Sequence, residues 1–172
     1  EADAGVQVVD VSTPTAPRLV GNLQASFAFG IAIVGDLLEV GLGPPYKDLL
    51  GGLFVYDISD PTATQFVAGV RGPRFAQDVA GAANMAFVAG GAEGLRACDV
   101  LQPDGIREVG ACETIYSPLD VEVAEQSPGT RIAYVADSDT GLWSVDVSNP
   151  LDPHPLGRIA MRKAANVFVA ER

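Results

Sequence analysis

Few side chains in this 172-residue sequence carry the chemistry of a reaction centre. It holds two cysteines, Cys98 and Cys112, and one histidine, His154. A zinc site built from several Cys and His ligands is excluded by that count. His154 sits in the loop sequence DPHP with no nucleophile-elbow pattern to partner it, so a Ser-His-Asp arrangement is not spelled out. There is no C-x-x-C-H haem attachment, no P-loop and no dinucleotide fingerprint. The expectation is a protein without catalytic residues.

The carboxylates are more orderly. Asp10, Asp57, Asp99 and Asp146 recur 47, 42 and 47 residues apart, each just before a turn. A carboxylate there can accept backbone N–H bonds, and four residues spread one per repeat do not converge on one substrate. A structural role is expected. Asp137 and Asp139 form a D-x-D-x-G turn with Gly141, a spacing seen in calcium loops, and Glu1 and Asp3 hold the matching places before Gly5. Calcium needs six or more oxygens, so a plain acidic turn is the preferred reading. Calcium is the one cofactor the sequence suggests.

These residues are set in a repeat. Four stretches align without gaps: GVQVVDVSTP (Gly5 to Pro14), GLFVYDISDP (Gly52 to Pro61), GLRACDVLQP (Gly94 to Pro103) and GLWSVDVSNP (Gly141 to Pro150). Eleven residues after each Asp stands a small residue (Gly21, Ala68, Gly110, Gly157). Upstream lie further short apolar runs: MAFVAGG, IAYVAD and VFVAE, preceded by GIAIVG, DVAG and DVEVA. Nineteen Gly and twelve Pro punctuate the chain, leaving no room for long helices. Each unit offers about four short strands with two apolar faces, as in GLFVYDIS, where Leu53 and Val55 face one way and Phe54, Tyr56 and Ile58 the other. Sheets covered on both sides predict an all-β chain, a β-propeller of four units of about 45 residues. Residues 1–172 read as one domain, with units 1–28 plus 160–172, 29–75, 76–117 and 118–159. The final VFVAE, taken as a second strand, would pair with the first strand and close a four-bladed ring. The alternative is a segment of a larger propeller.

The unit resembles the LVIVD-repeat family, most plainly in AYVADSDTGLWSVDVSNPLDPHPLG (Ala133 to Gly157). The third unit departs from it at Leu101 and Gln102. The resemblance implies a β-propeller of the kind found in bacterial or archaeal envelope and secreted proteins, and it implies no common reaction.

If the hairpin after Asp99 turns near residues 103–106, Cys98 and Cys112 face each other across it, within reach of a disulfide. Such a bond would argue for an oxidising compartment, and hence for an extracellular, cell-surface or periplasmic location. Propeller strand order would gather Phe27, Phe29, Tyr46, Lys47, Arg71, Arg74, Phe75 and Tyr116 on one rim. Aromatic and Arg side chains on loops are suited to binding a partner. The net charge of −11 repels phosphate backbones, so no nucleic acid is expected. No apolar run reaches the roughly 20 residues that span a bilayer as a helix. The expected function is an extracytoplasmic binding or scaffold propeller for a protein or glycan partner, with self-association or a larger envelope assembly as variants. The alternative is a calcium-dependent or enzymatic module with its site at the axial mouth.

Overall fold

A computed structural model describes residues 5–25, 27–43, 51–71, 76–101 and 105–170. Among them are fourteen strands, one short 3-10 turn (Gly91–Glu93) and no α-helix. Strands β1 (Val6–Asp10) and β2 (Arg18–Leu23) form a two-stranded ribbon. The first four-stranded sheet comprises β3 (Ala28–Val34), β4 (Leu37–Leu42), β5 (Gly52–Asp57) and β6 (Gln65–Arg71). The second comprises β7 (Asp78–Ala82), β8 (Met85–Ala89), β9 (Leu95–Asp99) and β10 (Arg107–Cys112). The third comprises β11 (Pro118–Ser127), β12 (Thr130–Asp137), β13 (Gly141–Asp146) and β14 (His154–Ala160). All four are antiparallel, and each four-stranded sheet is a meander in chain order. The arrangement is propeller-like.

The repeated Asp builds the same turn each time. Its Oδ1 accepts the main-chain N–H two residues on: Ser12 onto Asp10 at 2.9 Å, Ser59 onto Asp57 at 2.8 Å, Leu101 onto Asp99 at 3.1 Å and Ser148 onto Asp146 at 2.8 Å. The carboxylate replaces a backbone acceptor as the strand ends, which is why Asp recurs there.

Three apolar clusters join neighbouring sheets. Val6, Val8 and Leu23 of the ribbon meet Leu38, Val40, Tyr56 and Ile58 of the first sheet. The other face of the first sheet, with Leu53 and Val55, meets Val79, Val88, Cys98 and Val100 of the second. The second sheet's far face, with Phe87, Leu95 and Ala97, meets Val121, Val135, Val145 and Val147 of the third. Burial on both sides explains why β8 reads as the continuous apolar run MAFVA rather than as an alternation.

The recurring small residue has a steric cause. A Cβ added at Gly21 would overlap the carbonyl oxygen of Pro61, and one at Gly110 would overlap that of Pro150. The turns that close the third strands of the first and third sheets thus press on the fourth strand of the unit before them.

Two expectations are corrected. Cys98 and Cys112 are free thiols. Cys98 pairs across the hairpin with Glu108, whereas Cys112 pairs with Leu95. A bulge between Glu108 and Gly110 sets this register, and the two sulfurs lie on opposite faces of the sheet. Cys98 belongs to the cluster with the first sheet and Cys112 to the cluster with the third, so no disulfide links them. The second correction concerns VFVAE. Residues 161–170 form no strand, and β1 pairs with β2 alone. The N–H of Val167 donates to Asp120 Oδ2 at 2.6 Å, just as that of Val121 donates to Asp78 Oδ2 at 3.0 Å. Val167 therefore matches the first strand of a unit, not the second, and the expected pairing with β1 is absent.

Candidate functional site

The turn between β12 and β13 and the loop joining β10 to β11 meet at one end of the fold. In the third sheet the contact is explicit. Ser117, in the loop before β11, donates its N–H to Asp137 Oδ2 at 2.7 Å, and its carbonyl accepts the N–H of Ser138 at 3.1 Å. Asp137 Oδ1 accepts from the N–H of Asp139 (3.0 Å), the N–H of Thr140 (2.7 Å) and the Thr140 hydroxyl (2.7 Å). Burial pushes the Asp137 carboxyl pKa up, but these bonds outweigh it and hold the group below the usual carboxylate range. Asp137 thus organises the turn, while Asp139 is exposed. Among the described residues, no group of three or more His, Cys, Asp and Glu side chains is placed to hold a metal ion.

The rim expected from sequence is present in part. Tyr116 is 67% exposed and Phe29 is 58% exposed, both near the starts of first strands. Arg71 ends β6 and is exposed. Phe27 is half-buried with a positive φ of 64°, and its carbonyl accepts the N–H of Gly43 at 3.0 Å. The Phe29 ring lies against Gly43, where an added Cβ would have to displace it. Tyr46, Lys47, Arg74 and Phe75 fall outside the described residues, as do Glu1 and Asp3. Beside Tyr116, the residues Ala92, Glu93, Glu113 and Thr114 line an open hollow of about 590 Å³. Trp143 packs partly into the core; its Nε1 donates to Thr140 Oγ1 at 2.8 Å, and the Arg158 guanidinium lies 5.2 Å from the ring centre. His154 is exposed, with Nδ1 3.0 Å from the carbonyl oxygen of Asp152.

A second feature escaped the sequence reading. The first strands β3, β7 and β11 line a hollow of about 340 Å³ that includes Asp78, Asp120 and Glu122. Burial, reinforced by the neighbouring Asp120, pushes the Asp78 carboxyl up to about 6 against the pull of its hydrogen bonds from Val121 and Val79. Glu122 is raised by burial and then by Asp120. The sequence signal is that DVAG and DVEVA both open a first strand with Asp, a pattern that marks a strand and not a shared hollow. Behind the hollow, Glu39 is fully buried and its oxygens have no hydrogen-bond partner among the described residues. Nothing in the run LLEVGL marked it.

The geometry defines a class: an all-β repeat protein of antiparallel sheets stacked face to face through equivalent clusters. The LVIVD repeat matches residues 2–25, 48–70 and 132–159. The chain thus carries segments similar to the LVIVD repeat, and such repeats are associated with β-propeller folds. The unmatched unit is the one whose turn departs at Leu101 and Gln102. No curated protein matches the sequence.

Proposed function

We propose that this chain is a non-catalytic binding or scaffold propeller acting outside the cytoplasm, with a protein or glycan partner held on the rim of Phe29, Arg71 and Tyr116. The three four-stranded sheets are blades, and the ribbon is the outer half of a fourth. The observation that carries the reading is the exposure of Tyr116 and Phe29 near the starts of first strands. Rigid aromatic side chains there offer contact area at low entropic cost. The free thiols remove the disulfide as an argument for compartment, which leaves the family resemblance as its support. The test is capture of partners from an envelope extract on immobilised protein, compared with Phe29→Ala/Tyr116→Ala and with a variant on the opposite end, Gln126→Ala. Loss of the same partners in the rim variant alone supports the proposal, and equal capture by all three proteins refutes it.

One observation favours a second reading, a calcium-dependent or enzymatic module with its site at the axial mouth. The hollow between the first strands is open, and Asp78, Asp120 and Glu122 are among the residues that line it. Calorimetric titration with calcium separates the two readings. Heat of binding that vanishes in Asp120→Asn supports the axial site, and no heat removes it.

A further inference from the structure

The three internal interfaces are built to one plan, and the molecule carries the two halves of a fourth. At each junction the third strand of the following sheet fills the far face of the preceding one. Val145 and Val147, 0% and 1% exposed, do so against Leu95 and Ala97. Where the turn can be followed, its Pro carbonyl rests on the small residue of the preceding fourth strand, Pro61 on Gly21 and Pro150 on Gly110.

On the ribbon, the residues aligned with Val145 and Val147 are Val9 and Val11, yet these are 45% and 65% exposed. Leu19, paired with Val9 across the ribbon, is exposed beside them. On the third sheet, the far face presents Leu142 and its cross-strand partner Ile159, which is 61% exposed. Gly157 stands there at the place of Gly21 and Gly110, but a Cβ on it would meet only the Ser144 hydroxyl of its own sheet, at 3.5 Å. Tyr134, Leu142, Ser144, Gly157 and Ile159 frame a shallow, mainly apolar hollow of about 200 Å³ on this face. A residue kept small with nothing pressing on it, beside uncovered apolar side chains, marks an interface missing its other half.

We propose that a second copy of this chain supplies that half, docking head to tail so that its ribbon covers the third sheet, with Val9 and Val11 over Leu142 and Ile159 and the Pro14 turn over Gly157. The argument for a second copy is continuity. The ribbon's exposed face holds, in the aligned positions, the side-chain types that fill the equivalent face inside the molecule. The contact is heterologous, so it leaves one free half at each end and either closes into a ring or grows.

Sedimentation velocity over a range of concentrations tests this, using chains blocked at one end. Val9→Arg obstructs the ribbon, and Gly157→Arg obstructs the third sheet. Neither residue belongs to an internal interface of its own molecule, and unchanged circular dichroism confirms folding. Wild type should associate, each variant alone should be weakened on the order of tenfold or more, and an equimolar mixture of the two should give a 1:1 dimer and nothing larger, because each retains the end the other lacks. If Val9→Arg fails to fold, Gly157→Arg against wild type is read in the same way. A wild type that stays monomeric overturns the proposal and leaves these faces to another occupant, such as a further repeat of the same kind. Association that both variants leave unchanged overturns it as well and points to the rim.

Discussion

The main-chain N–H of Val121 donates to the carboxylate of Asp78 across 3.0 Å, from the first strand of one sheet to the first strand of the sheet before it. Val121 is buried, and its N–H takes this carboxylate as its acceptor. Asp120 accepts the N–H of Val167 in the same way at 2.6 Å. In the first sheet the position is Gly30, where a Cβ would run into Asp78 itself. The repeat is thus stitched along its inner side by carboxylates as well as through its apolar faces.

Removing one stitch should therefore be felt. Asp78→Ala leaves the Val121 N–H buried without an acceptor, a loss of about 1–3 kcal/mol. Asp78→Asn keeps an acceptor oxygen and should cost much less. Urea midpoints for the two variants, at unchanged slope, check this. Equal midpoints would show that the bond contributes nothing to stability.

Glu39 makes stability depend on pH. Burial raises its carboxyl from 4.5 to about 7, so the folded chain keeps a proton that the unfolded chain gives up near pH 4.5. Its contribution is full below that point and is lost as pH rises through about 7. The loss amounts to about 3 kcal/mol at roughly 1.4 kcal/mol per unit. Asp78, raised from 3.8 to about 6, works in the same direction over a lower window. Glu39→Gln should flatten the fall of melting temperature between pH 5 and 8 and leave the variant more stable than wild type at the alkaline end. A wild-type profile that rises across this window would contradict the assignment.

What the sequence revealed divides by range. The Asp turns were legible because they close over two residues, and the four Asp-to-Pro segments share one local pattern. The two-faced burial of β5 was legible from Leu53 and Val55 alternating with Tyr56 and Ile58. The Cys98 register was not, because it depends on the length of the loop after Asp99 and on a bulge opposite Ala97 and Cys98. A shift of that size moves a side chain to the other face. VFVAE was misplaced because VFVA resembles the second-strand run YVAD. Its hydrogen bond to Asp120 shows which strand it matches, and that contact spans 47 residues. Of the candidate site, exposure at Tyr116 was foreseeable from a loop position. That Asp78, Asp120 and Glu122 line one hollow required knowing that first strands lie side by side.

The thiols give a direct check on the corrected register. Cys98 is buried, and burial, with the Glu108 and Glu39 charges beyond it, pushes its thiol up to about 12. Cys112 is buried in a separate cluster. A thiol reagent should label neither residue in the folded protein and both in denaturant, and reductant should leave the intact mass unchanged. A peptide linking Cys98 to Cys112 in a non-reducing digest would restore the disulfide and refute the observed pairing of Cys98 with Glu108.

Asp137 and Asp139 stand two residues apart in the one turn with calcium-loop spacing, and they should behave differently. Three donors converge on Asp137 Oδ1 and a fourth binds Oδ2, tying the β12–β13 turn to the loop before β11. Asp137→Ala leaves several of those donors unpaired in a buried setting, and a loss of at least about 2 kcal/mol follows. Asp139 is exposed, so Asp139→Ala should stay within about 0.5 kcal/mol of wild type. With the Asp137 oxygens already engaged by protein donors, chelator should leave the melting temperature unchanged. A calcium-dependent rise in melting temperature that both substitutions abolish would instead make this turn a metal loop and demand that the Asp137 carboxylate release its backbone partners.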